Sequence, residues 1–227
     1  MPRIQAVIFD LDDTLYPERQ YVRSGYAAVC EYLRDALGAE GPFEQFLWGR
    51  FCRGQVTGAF DDLNSTFKLD LSREEIAGLV NAYRTHRPNI QPYELMAGLL
   101  GLLHERYKLG LLSDGFLPAQ KLKLEALKIE RFFDAVVFTE QIGRDAWKPS
   151  PAGFERIAEM LAIAHPRCAY VSDNLSKDFV APNKLGWLTV RYVQPEQVHS
   201  NRSAPPGGEP ACVVSLPGEL CQALLVE

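Results

Sequence analysis

Ile4-Gln5-Ala6-Val7-Ile8-Phe9 runs straight into Asp10-Leu11-Asp12-Asp13-Thr14. The apolar, β-rich half predicts a buried strand, and the polar half an acidic loop at its carboxyl end. Carboxylates at Asp10 and Asp12 can divide labour there. One can attack phosphorus while the other shuttles a proton to the leaving oxygen. A plain acidic surface turn is the alternative reading. A calcium-binding EF-hand loop is excluded, because it would need Asp or Asn at Thr14, Gly at Leu15 and Glu at Tyr21.

Downstream of this loop, from about residue 19 to about 90, the pattern turns helical. Val22, Tyr26, Val29, Cys30 and Leu33 recur at helical spacing, as do Phe43, Phe46, Leu47 and Phe51. Ser72 followed by Glu75 is a capping box that opens a helix carrying Ile76, Leu79, Val80 and Tyr83. After Pro92 the rhythm becomes strand, loop, helix. Strands are expected at Leu109–Leu112, Ala135–Phe138, Cys168–Val171, Trp187–Arg191 and Cys212–Val214. Helices are expected near 118–128, 152–164, up to Leu185, and from Glu219 to Leu225. This alternation predicts an α/β fold, a Rossmann-like, mostly parallel sheet with helices on both faces. Segments 1–16 and 93–227 would form that core, and 17–92 a small all-helical cap placed as a lid. Ser203 to Pro210, rich in Pro and Gly, is expected to be a flexible loop.

Composition narrows the class. The chain has 227 residues, 47% hydrophobic and 23% charged, an ordinary globular balance. Its 24 basic and 29 acidic side chains leave a formal charge of −5, which argues against a nucleic-acid binder. No apolar run approaches the roughly 18 residues of a membrane span. Met1-Pro2-Arg3 leads directly into the first strand, so no targeting leader is expected. The five cysteines are scattered and form no C-x-x-C pair. A cytoplasmic setting without membrane or nucleic-acid partners follows as the expectation, for a monomer or homodimer.

Two further polar clusters end strands, where open α/β sheets bind ligands. Ser113-Asp114-Gly115 offers a hydroxyl and backbone N–H groups where a helix begins, a place suited to phosphate, though Asp-Gly is also an ordinary turn. Asp173-Asn174-Leu175-Ser176-Lys177-Asp178 supplies more carboxylates. Magnesium takes one or two protein carboxylates beside waters and substrate phosphate, a role that Asp10 and Asp173 would fill from two strands. In the plainer reading Asn174 and Ser176 are turn residues and Asp178 is a solvated helix charge. Lys148 precedes Pro149-Ser150-Pro151, a stiff stretch that would hold its ammonium near one position.

The order Asp10-x-Asp12-x-Thr14, Ser113, Lys148, Asp173 resembles the four motifs of the haloacid dehalogenase-like hydrolase superfamily, from residue 4 to about 225. The resemblance extends to Phe9 through Tyr16 and to Lys177-Asp178-Phe179 through Gly186, as in members with a helical cap inserted after the first motif. It implies that Asp10 is the nucleophile and Asp12 the general acid/base. Ser113, Asp114, Gly115 and Lys148 would surround the phosphoryl group. Asp10, the backbone carbonyl of Asp12, and Asp173 would hold Mg2+, with Asp178, Asn174 and Thr14 behind them. Two departures stand out: Ser172-Asp173 where Gly-Asp is usual, and Asp114 where Asn is frequent. The serine would either crowd the metal loop or add a hydrogen bond.

Asp12 selects among the superfamily's reactions. Its dehalogenases and phosphonatases lack that aspartate, whereas ester hydrolysis needs an acid for the leaving oxygen. The implied activity is a magnesium-dependent phosphatase acting on a small phosphorylated metabolite. A phosphomutase, or a non-catalytic scaffold keeping the fold, are the alternatives. Tyr16-Pro17 resembles pyrimidine nucleotidases. Candidates for specificity are Tyr16, Arg19, Tyr21, Arg23, Arg50 and Arg53.

Overall fold

In the computed structural model Ala6–Phe9 forms β1, buried along its whole length, as an apolar run covered on both faces must be. The structure describes residues 3–225; Met1, Pro2, Val226 and Glu227, at the ends of the expected core segments, lie outside the described residues. The other strands are β2 (Lys108–Ser113), β3 (Ala135–Phe138), β4 (Cys168–Ser172), β5 (Leu188–Tyr192) and β6 (Cys212–Val214). They form a sheet in the order β3-β2-β1-β4-β5-β6, with every neighbouring pair parallel.

Parallel neighbours require crossover connections; helices supply them except between β5 and β6, which a loop joins. α1 (Glu18–Leu37), α2 (Phe43–Cys52), α3 (Ala59–Phe67), α4 (Arg73–Thr85) and α5 (Met96–His104) lie between β1 and β2. α6 (Leu117–Leu127), α7 (Ala152–Leu161), α8 (Val180–Lys184) and α9 (Pro217–Leu224) follow later strands. The sequence pattern did not single out α5, whose interior Gly98 and Gly101 lower helix propensity. Packing decides there, with Met96, Leu99, Leu100 and Leu103 buried. α7 stops at Leu161, short of the expected 164, because Ala162 takes a left-handed conformation at φ 54° and caps it. α8 ends ahead of Gly186, at φ +74°. Among the described residues no helix is long and apolar enough to cross a membrane.

The chain divides into two compact units, residues 1–19 with 90–227, and residues 20–89. In the first, Ile8, Leu112, Val137, Phe154, Ile157, Tyr170 and Phe179 belong to one continuous core. The loop through Ser203 and Pro210 is tied to it by Asn183, whose side-chain amide donates to the Gly207 carbonyl at 2.9 Å and the Glu209 carbonyl at 2.8 Å.

The second unit is helical and has its own core of Val22, Tyr26, Val29, Leu33, Phe43, Leu47, Leu63 and Leu79. Ser72 and Glu75 form the expected capping box: the Glu75 N–H donates to Ser72 Oγ at 3.3 Å, and the Ser72 N–H to Glu75 Oε2 at 2.8 Å. Arg50 is buried here, donating to the carbonyls of Gln55 and Thr57 and pairing with Asp62. That guanidinium holds a loop together, which takes it out of the set of specificity candidates.

Candidate active site

Strand register brings the polar loops together. Phe9 lies opposite Leu111 of β2 and Val171 of β4, so Asp10, Ser113 and Asp173 emerge at the same sheet end. The Asp10 N–H continues the ladder to the Val171 carbonyl at 3.0 Å. β1 is also where the chain order reverses across the sheet, the place where parallel sheets open a crevice. After β2 the backbone turns at Gly115, whose φ of +129° suits glycine, and a Cβ there would meet Gln120 Nε2 at 2.4 Å.

Lys148 lies at the centre, its side chain only 1% exposed. Its ammonium is 2.5 Å from Asp10 Oδ1, 3.0 Å from Asp178 Oδ1 and 2.9 Å from the Tyr170 hydroxyl. Asp10, Asp173 and Asp178 each offer an oxygen within 4.8 Å of the others. All three are buried, so Asp178 is no solvated helix charge. Burial pushes the Asp10 carboxyl up to about 7 even though Lys148 pulls it down, and Asp178 adds to the rise. Asp173 is raised well above the carboxylate range by burial and then by Asp178 and Asp10. Its Oδ2 is buried with no hydrogen-bond partner. An unpartnered oxygen among crowded carboxylates fits an oxygen-liganded cation, which would relieve the repulsion. Asp10 and Asp173 are the side chains that would hold it, with Asp178 alongside.

Asp12 has separate surroundings. Its Oδ1 accepts from Lys123 Nζ at 2.7 Å and from the Tyr16 hydroxyl, and its Oδ2 from Gln120 Nε2 at 3.1 Å. Burial opposes its ionisation, but the Lys123 charge and these bonds outweigh it and hold the carboxyl below its ordinary value. Two carboxylates of one loop are thus driven in opposite directions, Asp10 up and Asp12 down.

Ser113 is buried with its hydroxyl 3.4 Å from the Asp114 carbonyl. The Asp114 side chain accepts from Thr139 Oγ1 at 2.9 Å, from the Lys148 N–H at 3.2 Å to both oxygens, and from Lys177 Nζ at 2.8 Å. The expected supporting residues divide. Thr14 donates to Asp173 Oδ1 at 3.4 Å. Asn174 gives its N–H to Asp178 Oδ2, while its side-chain oxygen accepts from Ser176, so its amide shapes the turn. Ser172 resolves its departure by adding a hydrogen bond, donating to Asp178 Oδ2 at 2.6 Å.

Other contacts had no motif to announce them. Gln120 and Lys123 share the inward face of α6 with Ala119, Leu124 and Leu127, and polar residues in that phase were the available signal. Asp13, at φ 54°, accepts from the N–H groups of Glu18 and Val198, and its carbonyl accepts from Gln197 Nε2. Tyr16 is fully buried against Asp12, and Arg19 pairs with Glu196 at 2.5 Å.

The family model of the haloacid dehalogenase-like hydrolases matches residues 4–186. Glyceraldehyde 3-phosphate phosphatase of Methanopyrus kandleri is 32% identical, over 83% of this chain and 83% of that protein. Human N-acylneuraminate-9-phosphatase is 24% identical, over 90% of this chain and 88% of its own. Among solved structures, magnesium-bound HAD-hydrolase YfnB of Bacillus subtilis superposes with a TM-score of 0.69 at 18% identity, covering 99% of this chain and 100% of that one.

Proposed function

The chain belongs to the haloacid dehalogenase-like hydrolase family, and within it we propose a magnesium-dependent phosphatase that acts on a small phosphorylated metabolite through an aspartyl-phosphate intermediate. The glyceraldehyde 3-phosphate and N-acylneuraminate-9-phosphate relatives are both named as phosphatases of monoesters. The observation that carries the proposal is the separation of Asp10 from Asp12. Lys148 grips the first and Lys123 the second, so one loop presents two carboxylates held apart by different partners, each free for its own task.

In the proposed reaction an Asp10 oxygen attacks phosphorus as the bond to the leaving oxygen breaks, and Asp12 delivers a proton to that oxygen. Water then attacks the phosphorylated Asp10, Asp12 takes its proton, and inorganic phosphate leaves. Lys148 orients Asp10 and meets the charge of the transferring group, with Ser113 and the turn at Asp114 and Gly115 beside it. Bound magnesium would neutralise charge between phosphate and the carboxylates of Asp10 and Asp173. The helical unit, residues 20–89, serves as the cap domain that sets substrate choice. All five cysteines are free, which fits a reducing compartment, and we assign the protein to the cytoplasm.

The test is phosphate release from a panel of phosphorylated metabolites, with and without magnesium, together with acid-quench trapping of phosphorylated protein. Magnesium-dependent release with label on Asp10 is the expected result. Release without any trapped acyl phosphate, under conditions where the second step is slowed, would discard the covalent route.

A further inference from the structure

Asp114 is a nearly buried carboxylate in the wall of a pocket proposed to receive phosphate. A bare negative charge there would repel a phosphate dianion, and at buried positions such repulsion is poorly screened. Three groups answer it: the Lys148 N–H, the Thr139 hydroxyl and the Lys177 ammonium. Lys177 is the one of the three that meets Asp114 with its ammonium, and the Lys148 charge adds to it without direct contact. Its side chain is 34% exposed, against 1% for Lys148 and 6% for Lys123, so it is the lysine of this cluster that solvent reaches most. It reaches Asp114 from the loop after β4, whereas Asp114 follows β2, and the two are 63 positions apart.

The ammonium groups of the other two lysines pair directly with other carboxylates. Lys148 faces Asp10 and Asp178, and Lys123 faces Asp12. We propose that Lys177 is the charge-balancing residue of the phosphate pocket. It forms a single functional unit with Asp114, cancelling a carboxylate that would otherwise weaken anion binding. The pair explains how a carboxylate is tolerated at position 114. It predicts that Lys177 cannot lose its charge while Asp114 keeps its own, that Asp114→Asn alone leaves phosphate binding as tight or tighter, and that neutralising both relieves the loss. Lys177 acts on binding through charge and is distinct from the groups that transfer the proton.

The inference rests on the phosphatase reading, and one set of variants separates the two. Inorganic phosphate binding is measured by calorimetry with magnesium present, and kcat and KM are measured on p-nitrophenyl phosphate. The proteins compared are the wild type, Lys177→Met, Lys177→Arg, Asp114→Asn and Asp114→Asn/Lys177→Met. Lys177→Met should weaken phosphate binding and raise KM by about tenfold or more, with kcat changed by less than about threefold. The double variant should recover to within about threefold of wild type, and Lys177→Arg should stay near it. Melting curves identify any variant that fails to fold, and Lys177→Arg with the double variant then carry the comparison. A double variant as weak as Lys177→Met, or Lys177→Met indistinguishable from wild type, overturns the pairing while leaving phosphatase activity in place. Wild-type protein that neither binds phosphate nor turns over the ester overturns the phosphatase reading, and the pairing with it.

Discussion

Lys123 Nζ lies 2.7 Å from Asp12 Oδ1, joining α6 to the loop after β1 across 111 positions. Gln120, one turn earlier on the same face, reaches the other oxygen, and Tyr16 closes the third side. A general acid must present its proton along one direction, and three donors from two segments leave this carboxylate little freedom to rotate.

Replacing Lys123 by Met should therefore harm proton delivery more than binding. On an alkyl phosphate kcat should fall about a hundredfold, within the range of general acid–base effects. On p-nitrophenyl phosphate, whose leaving group needs little protonation, the loss should be about tenfold or less. Equal losses on the two substrates, in a variant shown to be folded, would assign Lys123 a purely structural role.

Asp10→Asn should abolish turnover and leave the fold intact, since the amide is nearly isosteric but a poor nucleophile. Circular dichroism and a kinetic assay, with mass spectrometry to exclude deamidation, check it. Activity within about tenfold of wild type would contradict nucleophilic attack by Asp10.

Magnesium should raise the melting temperature as well as support catalysis, because a cation relieves repulsion among Asp10, Asp173 and Asp178. Asp173→Asn should abolish most of the magnesium-dependent shift. A shift of equal size in that variant would move the metal elsewhere.

Ser72→Ala should destabilise the helical unit by about 1 kcal/mol through loss of the α4 cap. Hydrogen exchange should report the change in residues 20–89, with amides of the sheet unaffected. A uniform loss of protection across both units would show that they unfold as one.

Exchanging residues 20–89 for a short linker should cost far more on the physiological ester than on p-nitrophenyl phosphate, since remote contacts to the leaving group contribute little with a small one. Parallel losses on both substrates would count against a role for this unit in recognition.

The alternation of apolar runs with polar loops was sufficient for the parallel α/β core, since a buried strand between helices leaves a mark on every residue it contains. The motif carboxylates and Lys148 could be read because their chemistry requires particular residue types at strand ends. α5 escaped notice because its glycines weaken a local signal that Leu99, Leu100 and Leu103 restore only by packing. Lys123, Gln120 and Lys177 escaped for a different reason. Each is an ordinary helix or loop residue in its own segment, and meets a site carboxylate 63 to 111 positions away. The sequence by itself determined which acids and bases were present and which strands would carry them. Tertiary structure alone decided which ammonium faces which carboxylate, because Coulomb and hydrogen-bond energies depend on distances that only folding sets.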